Sequence, residues 1–165
     1  MFYISAVYAC NGRNERVALW NDLLRLRGRV GGCSWLLAGD FNIINCPQES
    51  SDFDGSQSIT GAMREFRYCQ EGLDVVDHPF SGHLFTWCNF HEDDPLSWKL
   101  GRVIGNQAWF VKFPGAYVEF LDPFCSDHCP SHVVLRAPLA RPPKPFKFFG
   151  FWADHPGFLD VVAAS

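Results

Sequence analysis

The stretch that decides the fold is residues 34–42, which read S-W-L-L-A-G-D-F-N. Its first half, 34–38, is a short apolar run typical of a buried strand, and the Gly-Asp-Phe-Asn that follows indicates where this strand ends in a loop. Residues i and i+2 of an extended chain share a face, so we expect Asp40 and Asn42 to point the same way. This carboxylate and amide could orient a water molecule or bind a phosphate oxygen. Alternatively, both could satisfy backbone donors in an Asx turn.

A second polar cluster lies near the other end of the chain, where residues 126–130 read S-D-H-C-P. Asp127 offers a hard oxygen ligand that suits a metal ion. A histidine such as His128 can donate a hydrogen bond to a developing negative charge. An Asp beside a His just before a strand therefore suits metal or phosphate chemistry. The alternative is a plain polar turn ahead of Pro130.

Tyr8 is the third candidate. Residues 2–9 have the alternating, aromatic and β-branched composition of a strand, and the Asn-Gly at 11–12 predicts a turn directly after it. The Tyr8 hydroxyl at this strand end could contact a phosphate. It could equally be an ordinary half-buried aromatic residue of the strand.

The remaining segments alternate between helical and extended patterns. Apolar residues recur at helical spacing over 15–27, with Asn14 as the expected N-cap, and over 59–69, with Thr60 as the expected N-cap. Further strands are predicted at 84–88, 98–104, 117–121 and 132–136, the first two as a hairpin, with a short helix at 106–112. Helices that alternate with strands predict an α/β (α+β) layered domain. Because several strands follow one another without helices, its sheets should be mixed.

Composition agrees with one compact domain. The chain has 165 residues, of which 47% are hydrophobic, and 16 Phe with 6 Trp supply large apolar faces. Disordered chains lack the apolar surface that offsets the ordering entropy, so whole-chain disorder is excluded. Collagen-like and coiled-coil classes fail on composition as well. No stretch approaches the roughly 20 apolar residues of a membrane span.

Charge and cysteine usage restrict the partners and the compartment. The net charge of −4 is unlike the basic face of a tight nonspecific DNA binder, so any contact with nucleic acid should be local. The seven cysteines are odd in number, irregularly spaced and without a C-x-x-C pair, which indicates reduced thiols rather than a disulfide framework. We therefore expect an intracellular protein, with a nuclear location as one alternative, and we find no signal peptide.

Taken in chain order, five segments resemble the endonuclease/exonuclease/phosphatase superfamily: Tyr8, the G-D-F-N of 39–42, the F-T-W of 85–87, the K-L-G-R-V of 99–103 and the S-D-H-C-P of 126–130. The G-D-F-N and S-D-H-C-P motifs carry most of this resemblance, and the other segments support it. The match looks closest to the endonuclease-like domain of plant LINE-type (non-LTR) retrotransposons. The likeness extends over nearly the whole chain.

This resemblance implies an incomplete four-layer α/β sandwich of two mixed β-sheets flanked by helices. It also implies hydrolysis of DNA phosphodiester bonds with Mg²⁺ or Mn²⁺. By motif match, Asp40 would orient or deprotonate the attacking water, and Asn42 would hold that water or a phosphate oxygen. Asp127 would help to bind the metal or fix the neighbouring His128, which would stabilise charge on the phosphoryl group. Tyr8 would contact the scissile phosphate.

The sequence departs from the family pattern in two ways. The family carries an Asn and a principal metal-binding Glu ahead of the Tyr8 strand, whereas this chain begins at Met1, so no residue matches that Glu. In addition, the family's K-L-D-R-V segment has an Asp that pairs with the His of the S-D-H motif, and here that position is Gly101. Loss of an Asp that orients a His can cost several powers of ten in rate.

These departures lead to a specific prediction of domain organisation and function. Residues 1–137 would be the C-terminal part of an endonuclease/exonuclease/phosphatase domain, 138–147 a Pro-rich basic linker, and 148–165 an aromatic tail that starts the connector toward a reverse transcriptase region. The chain would be a truncated domain of retrotransposon origin with little or no nuclease activity. It would also be poorly soluble or dependent on a partner.

Two alternatives stay open at this point. In the first, the chain belongs to an active endonuclease that is completed by an unrecorded N-terminal region. In the second, it is a noncatalytic module that binds a protein or a nucleic acid through the acidic loop at 92–94 or the aromatic tail. A small-molecule phosphatase is a lesser option, because the superfamily includes lipid and sugar-phosphate hydrolases. The sequence does not predict the oligomeric state.

Overall fold

The structure is a computed structural model that describes residues 1–135. The predicted linker at 138–147 and the aromatic tail at 148–165 lie outside the described residues. The described elements, in chain order, are β1 (Phe2–Tyr8), α1 (Arg13–Val30), β2 (Ser34–Asp40), a 3-10 turn (Pro47–Glu49), α2 (Gly61–Leu73), β3 (Val75–Asp77), β4 (Phe80–Gly82), β5 (Trp87–Cys88), β6 (Ser97–Trp98), β7 (Gly101–Asn106), α3 (Gln107–Lys112), β8 (Tyr117–Phe120) and β9 (Ser131–Val134).

The strands form two mixed sheets and a short hairpin. In the first sheet the order is β1-β2-β7-β3, with β1 parallel to β2 and β7 antiparallel to both of its neighbours. In the second sheet the order is β4-β8-β9, with one parallel and one antiparallel pair. The hairpin joins β5 to β6. The predicted α/β (α+β) class with two mixed sheets flanked by helices is confirmed.

The layers follow from the alternation of side chains along β2. Trp35 and Leu37 point to one face, where they join a core that includes Trp20 of α1 and Phe66 of α2. Leu36 points to the opposite face and packs in a second core cluster with the side chains of β7, β8 and α3. A strand that is apolar on both faces is expected at the centre of a layered sandwich. The described layers are therefore the helices α1 and α2, the first sheet and the second sheet.

Helix capping shows one correct prediction and one wrong one. Thr60 caps α2, because its side-chain oxygen accepts the backbone N–H of Met63 at 3.2 Å. Asn14, the expected cap of α1, lies inside the helix. The first helical hydrogen bond there runs from Arg16 N–H to the Gly12 carbonyl, which makes Gly12 the N-cap. The turn after β1 is tight, so the helix begins two residues earlier than an N-cap at Asn14 would predict.

The predicted strand at 98–104 is wrong as a continuous element. It divides into β6 and β7, because the backbone of the two intervening residues bonds to other parts of the chain. The N–H of Lys99 donates to the Glu49 carbonyl, and the carbonyl of Leu100 accepts the N–H of Phe41, both at 3.0 Å. The hairpin prediction itself is confirmed, although only Trp87–Cys88 and Ser97–Trp98 pair.

A buried ion cluster lies at the base of β7. Arg102 is fully buried and contacts both Glu49 and, at 2.8 Å, Asp77. Lys99, also buried, lies 3.7 Å from Glu49 and 4.0 Å from Asp77. A charge this deep is tolerated only when it is paired. Both basic residues of the K-L-G-R-V segment are therefore part of the core rather than the surface.

Two further features bear on the sequence predictions. Within residues 1–135, no helix has both the length and the apolar character needed to cross a membrane. All seven cysteines are free thiols. Burial raises the pKa of the Cys69 thiol to about 12.

Candidate functional site

The candidate site forms where β1 and β2 end. The two strands are parallel and in register, so that Tyr8, the last residue of β1, pairs with Asp40, the last residue of β2. In layered α/β folds, ligands commonly bind beyond the carboxyl ends of such strands. Tyr8 is 83% exposed there, whereas the Asp40 side chain is only 11% exposed. The pair therefore combines an accessible hydroxyl with a sheltered carboxylate.

Asp40 and Asn42 are brought together by a turn, not by continued strand geometry. The strand ends at Asp40, and Asn42 has a left-handed backbone with φ of 52°. Asp40 Oδ1 accepts the Asn42 backbone N–H at 2.8 Å, which is an Asx turn, and Asp40 Oδ2 lies 3.4 Å from Asn42 Nδ2. The Asn42 amide also donates to the Ala9 carbonyl at 3.1 Å. The Asx turn given as the alternative in the sequence analysis is therefore present, and it brings the two side chains together.

The 126–130 segment is held beside this turn by β5. Trp87 and His128 are directly opposed in an isolated antiparallel bridge. The flanking hydrogen bonds run from Cys88 N–H to the Asp127 carbonyl at 3.0 Å and from Cys129 N–H to the Thr86 carbonyl at 2.8 Å. This pattern makes Trp87 and His128 a non-hydrogen-bonded pair, the kind that brings side chains closest together. The F-T-W and S-D-H segments are therefore neighbours in the fold.

Asp127 is anchored by a tryptophan. The indole N–H of Trp87 donates to Asp127 Oδ2 at 2.8 Å. This hydrogen bond is the main reason why the pKa of the Asp127 carboxyl lies below its ordinary value, and the neighbouring His128 lowers it further. A hydrogen bond to a carboxylate favours its ionised form. Asp127 is exposed to solvent, so the effect of this bond is local.

His128 faces Asp40 across the cleft. Its Nε2 lies 3.8 Å from Asp40 Oδ2, with the imidazole 35% exposed. This separation is too long for a hydrogen bond but suits an ion pair when the imidazole is protonated. The arrangement places an acid, an amide and a titratable base within one small volume.

Gly101 lies directly opposite Asp40 in the antiparallel pairing of β2 with β7. A side chain at this position would point to the same face as Asp40, with the Cβ atoms of the pair about 5 Å apart. A Cβ built on Gly101 would lie 3.2 Å from Thr86 Oγ1. Thr86 would have to move slightly to accommodate it. The position that carries a carboxylate in the family pattern is therefore next to Asp40, and here it has no side chain.

All five candidate side chains line one cleft with a volume of about 740 Å³, namely Tyr8, Asp40, Asn42, Asp127 and His128. The cleft also has lining residues that sequence reasoning did not single out. Trp87 and Trp98, whose rings are 5.5 Å apart, form an aromatic wall, and Arg16 supplies a cation. The F-T-W motif was a signal for Trp87. No pattern marked Arg16, because it comes from a helix with no motif.

The side chains of the cleft do not match the divalent metal that the resemblance implies. Within residues 1–135, no three side chains of His, Cys, Asp or Glu come together in a metal-binding group. The cleft has two carboxylates, and both already accept hydrogen bonds, Asp40 from Asn42 and Asp127 from Trp87. Mg²⁺ demands near-octahedral oxygen coordination. The described residues do not form such a site by themselves.

Comparison with known proteins identifies the fold. No family model and no curated protein matches the chain. Among solved structures, it is similar to the 3′-5′ exonuclease NExo from Neisseria meningitidis, with a TM-score of 0.61 and 19% identity over 80% of this chain and 60% of that one. It is also similar to the endonuclease domain of TRAS1, a telomere-specific non-LTR retrotransposon, with a TM-score of 0.56 and 13% identity over 84% and 56%.

A third similar structure is beta toxin from Staphylococcus aureus, with a TM-score of 0.54 and 14% identity over 82% of this chain and 53% of that one. At these identities the likeness concerns the fold alone. The chain shares the fold of these three structures, and it spans between 53% and 60% of their length.

Proposed function

We propose that this chain carries a DNA phosphodiester-binding site of the endonuclease/exonuclease/phosphatase type whose capacity for hydrolysis is strongly impaired. The observation that carries the proposal is the cleft itself, which gathers Tyr8, Asp40, Asn42, Asp127 and His128 at the ends of two parallel strands. Retrotransposon origin, of the plant LINE type, is part of this proposal and is supported by the motif resemblance.

The roles proposed for these residues follow from phosphoryl chemistry. In-line displacement needs a positioned nucleophile and donors aimed at the phosphoryl oxygens. Asp40, sheltered and 3.8 Å from His128, is suited to orient a water molecule, which Asn42 would help to hold. His128 would donate to a phosphoryl oxygen, and the exposed Tyr8 hydroxyl would contact the phosphate. Asp127, kept ionised by Trp87, would restrict the position of its neighbour His128.

Impaired hydrolysis is proposed on the evidence of Gly101. Because this residue faces Asp40, a carboxylate here could reach His128 and hold its orientation. Without it, the nearest acidic partner that the described residues offer to His128 Nε2 is Asp40, at 3.8 Å. Asp40 would then have to orient both the imidazole and the water. We expect the rate to fall by several powers of ten, by analogy with other Asp–His pairs.

A requirement for Mg²⁺ or Mn²⁺ is proposed only because the resemblance implies it. The described carboxylates do not form a site for it, so we expect divalent metal to bind this chain weakly. Two carboxylates in the cleft and a net charge of −4 also repel a phosphodiester. The guanidinium of Arg16 opposes this effect, and His128 offers a hydrogen-bond donor beside it. We therefore expect DNA binding to be local and sensitive to salt.

The proposal separates into two measurements. Fluorescence anisotropy with a labelled DNA duplex at low salt should detect weak binding, which His128→Ala and Arg16→Ala each reduce. The matched control is His83→Ala, since His83 pairs with Asp122 outside the cleft and should leave binding unchanged. If all three variants bind as the unaltered chain does, the cleft is not the DNA site.

Hydrolysis is measured with supercoiled plasmid in Mg²⁺ and in Mn²⁺. The chain should not nick the plasmid above the level of an Asp40→Ala, His128→Ala double variant. Nicking that is lost in each single variant would show an active nuclease and contradict the proposed impairment. That result would favour the alternative of an active endonuclease completed by further residues, an alternative supported by the 53–60% share of the similar structures that this chain spans.

A further inference from the structure

Strand β1 has an open outer edge. The N–H of Ala9, just beyond β1, donates to the Asp40 carbonyl at 2.8 Å, so the odd-numbered residues of β1 direct their backbone groups to β2. The N–H and C=O groups of the four even-numbered residues, Phe2, Ile4, Ala6 and Tyr8, therefore point away from the sheet. Among residues 1–135, no strand pairs with this edge. Backbone groups of this kind normally find partners in a folded protein.

The two edges of the first sheet differ in how they are protected. Proteins blunt an edge with short strands, charges, prolines or bulges. At the opposite edge, β3 has only three residues and ends at Asp77, which is held by Arg102 at 2.8 Å. By contrast, β1 has seven residues, F-Y-I-S-A-V-Y, without a charge or a proline. Only the β1 edge has the length and composition of a pairing surface.

The side chains along this edge are apolar and accessible. Those of the even-numbered residues share one face of the sheet. Phe2 packs on Phe113 with ring centroids 5.3 Å apart, which holds the start of the strand in place, yet it is still 43% exposed. Ile4 is 57% exposed, and Tyr8 is 83% exposed. An ordered strand with an open edge and an uncovered apolar face is a typical site of strand addition.

We propose that β1 pairs antiparallel with the β1 strand of a second copy of this chain, across a two-fold axis at Ser5. The sequence of the strand is self-complementary in this register. Phe2 lies opposite Tyr8 of the second copy, Ile4 opposite Ala6, and Tyr3 opposite Val7. Each pair is uncharged, and Ile4 with Ala6 combines a large side chain with a small one. Aromatic and β-branched cross-strand pairs stabilise sheets.

The backbone supports the same register. With Ser5 on the axis, the outward residues become hydrogen-bonded pairs, Phe2 with Tyr8 and Ile4 with Ala6. Their reciprocal N–H and C=O groups can form about eight inter-chain hydrogen bonds. The result is a continuous eight-stranded sheet with β3 at both ends, and the two-fold symmetry closes the assembly at a dimer. The pairing also brings Phe2 of one copy against Tyr8 at the cleft of the other.

The oligomeric state of the full 165-residue chain tests this inference by sedimentation equilibrium over a wide range of concentrations. The unaltered chain should be a dimer that dissociates on dilution. Ile4→Lys places a charge on the β1 edge of both copies. Because the two-fold axis brings both lysines into the same interface, the dissociation constant should rise about tenfold or more. Val76→Lys is the matched control, since Val76 is 61% exposed on β3 at the opposite edge, and it should dimerise as the unaltered chain does.

A second variant tests the same edge independently, in case Ile4→Lys does not fold. In Ala6→Pro, the lost N–H points away from β2, so the β1–β2 ladder stays intact, and dimerisation should weaken as in Ile4→Lys. A monomer at every concentration would overturn the inference. So would open-ended larger assemblies, or an equal effect of Ile4→Lys and Val76→Lys. Slow amide exchange at Ile4 and Ala6 in a dilute monomer would show that other residues of the same chain cover the edge, which also contradicts it.

Discussion

Asp40, at the end of β2, lies directly opposite Gly101, at the start of β7. Gly101 is the residue at which the K-L-G-R-V segment departs from the resemblance, and this register puts it beside the Asp40 carboxylate. His128 Nε2 lies 3.8 Å from Asp40 Oδ2 in the same cleft. Substitutions at position 101 therefore test both the stability of the chain and its proposed lack of nuclease activity.

Gly101→Asp should destabilise the chain relative to Gly101→Ala at neutral pH. Both variants add a Cβ that lies 3.2 Å from Thr86 Oγ1, so their difference isolates the carboxylate. Two carboxylates directly opposite each other should cost about 0.5–1 kcal/mol. Urea unfolding of the two variants at neutral pH measures it. Greater stability of Gly101→Asp at neutral pH would indicate that pairing with His128 outweighs the repulsion.

The same Gly101→Asp variant should still fail to nick plasmid DNA. An aspartate at 101 could orient His128, but the described residues do not form a divalent metal site by themselves. The measurement is the plasmid assay in Mg²⁺ and Mn²⁺, with Gly101→Ala as the control for the added Cβ. Nicking by Gly101→Asp alone would show that the carboxylate was the only missing part.

Trp87→Phe should raise the pKa of the Asp127 carboxyl toward its ordinary value. The variant keeps an aromatic ring and removes the indole N–H that donates to Asp127 at 2.8 Å, the main cause of the lowered pKa. Because the folded pKa is lowered, the stability from this bond is present near neutral pH and lost as pH falls through the folded pKa. Carboxyl NMR titration measures the shift. Trp98→Phe is the control, and an equal shift there would contradict the assignment.

Arg102→Met should destabilise the chain by about 3 kcal/mol or more, because it leaves the carboxylates of Glu49 and Asp77 without their main cation. Arg102 is fully buried, and the Glu49 side chain is 12% exposed. Arg25→Met is the matched control. Arg25 forms an exposed pair with Asp22, and its loss should cost less than about 0.5 kcal/mol. Urea unfolding compares the two variants, and similar losses would argue against a structural role for the cluster.

The thiols should react in an order set by burial. Burial raises the pKa of Cys69 to about 12, so almost none of it is thiolate at pH 8, and only the thiolate is a nucleophile. Cys10 and Cys125 are exposed and should alkylate first. Mass spectrometry after limited iodoacetamide treatment of the native chain follows the order. Early modification of Cys69 would show that α2 opens readily.

Local sequence patterns predicted those helices and strands that are marked by their own residues. The apolar run before Asp40 marked β2, and the stripe after Thr60 marked α2 with its cap. The G-D-F-N and S-D-H-C-P motifs pointed to four of the side chains that line the cleft, Asp40, Asn42, Asp127 and His128. Errors arose where a partner distant in sequence decided the outcome. The strand at 98–104 breaks because Glu49 and Phe41 take the backbone bonds of Lys99 and Leu100, and no nearby residue signals this.

The sequence by itself determined the residue types of the site, the class of the fold and the glycine at position 101. Each of these depends on identity and local spacing. Tertiary structure alone decided that Gly101 faces Asp40, that Trp87 holds Asp127, and that Lys99 and Arg102 are buried rather than free to meet a phosphate. The physical reason is that register, burial and pairing depend on which strands become neighbours, and neighbours are chosen by the packing of the whole chain.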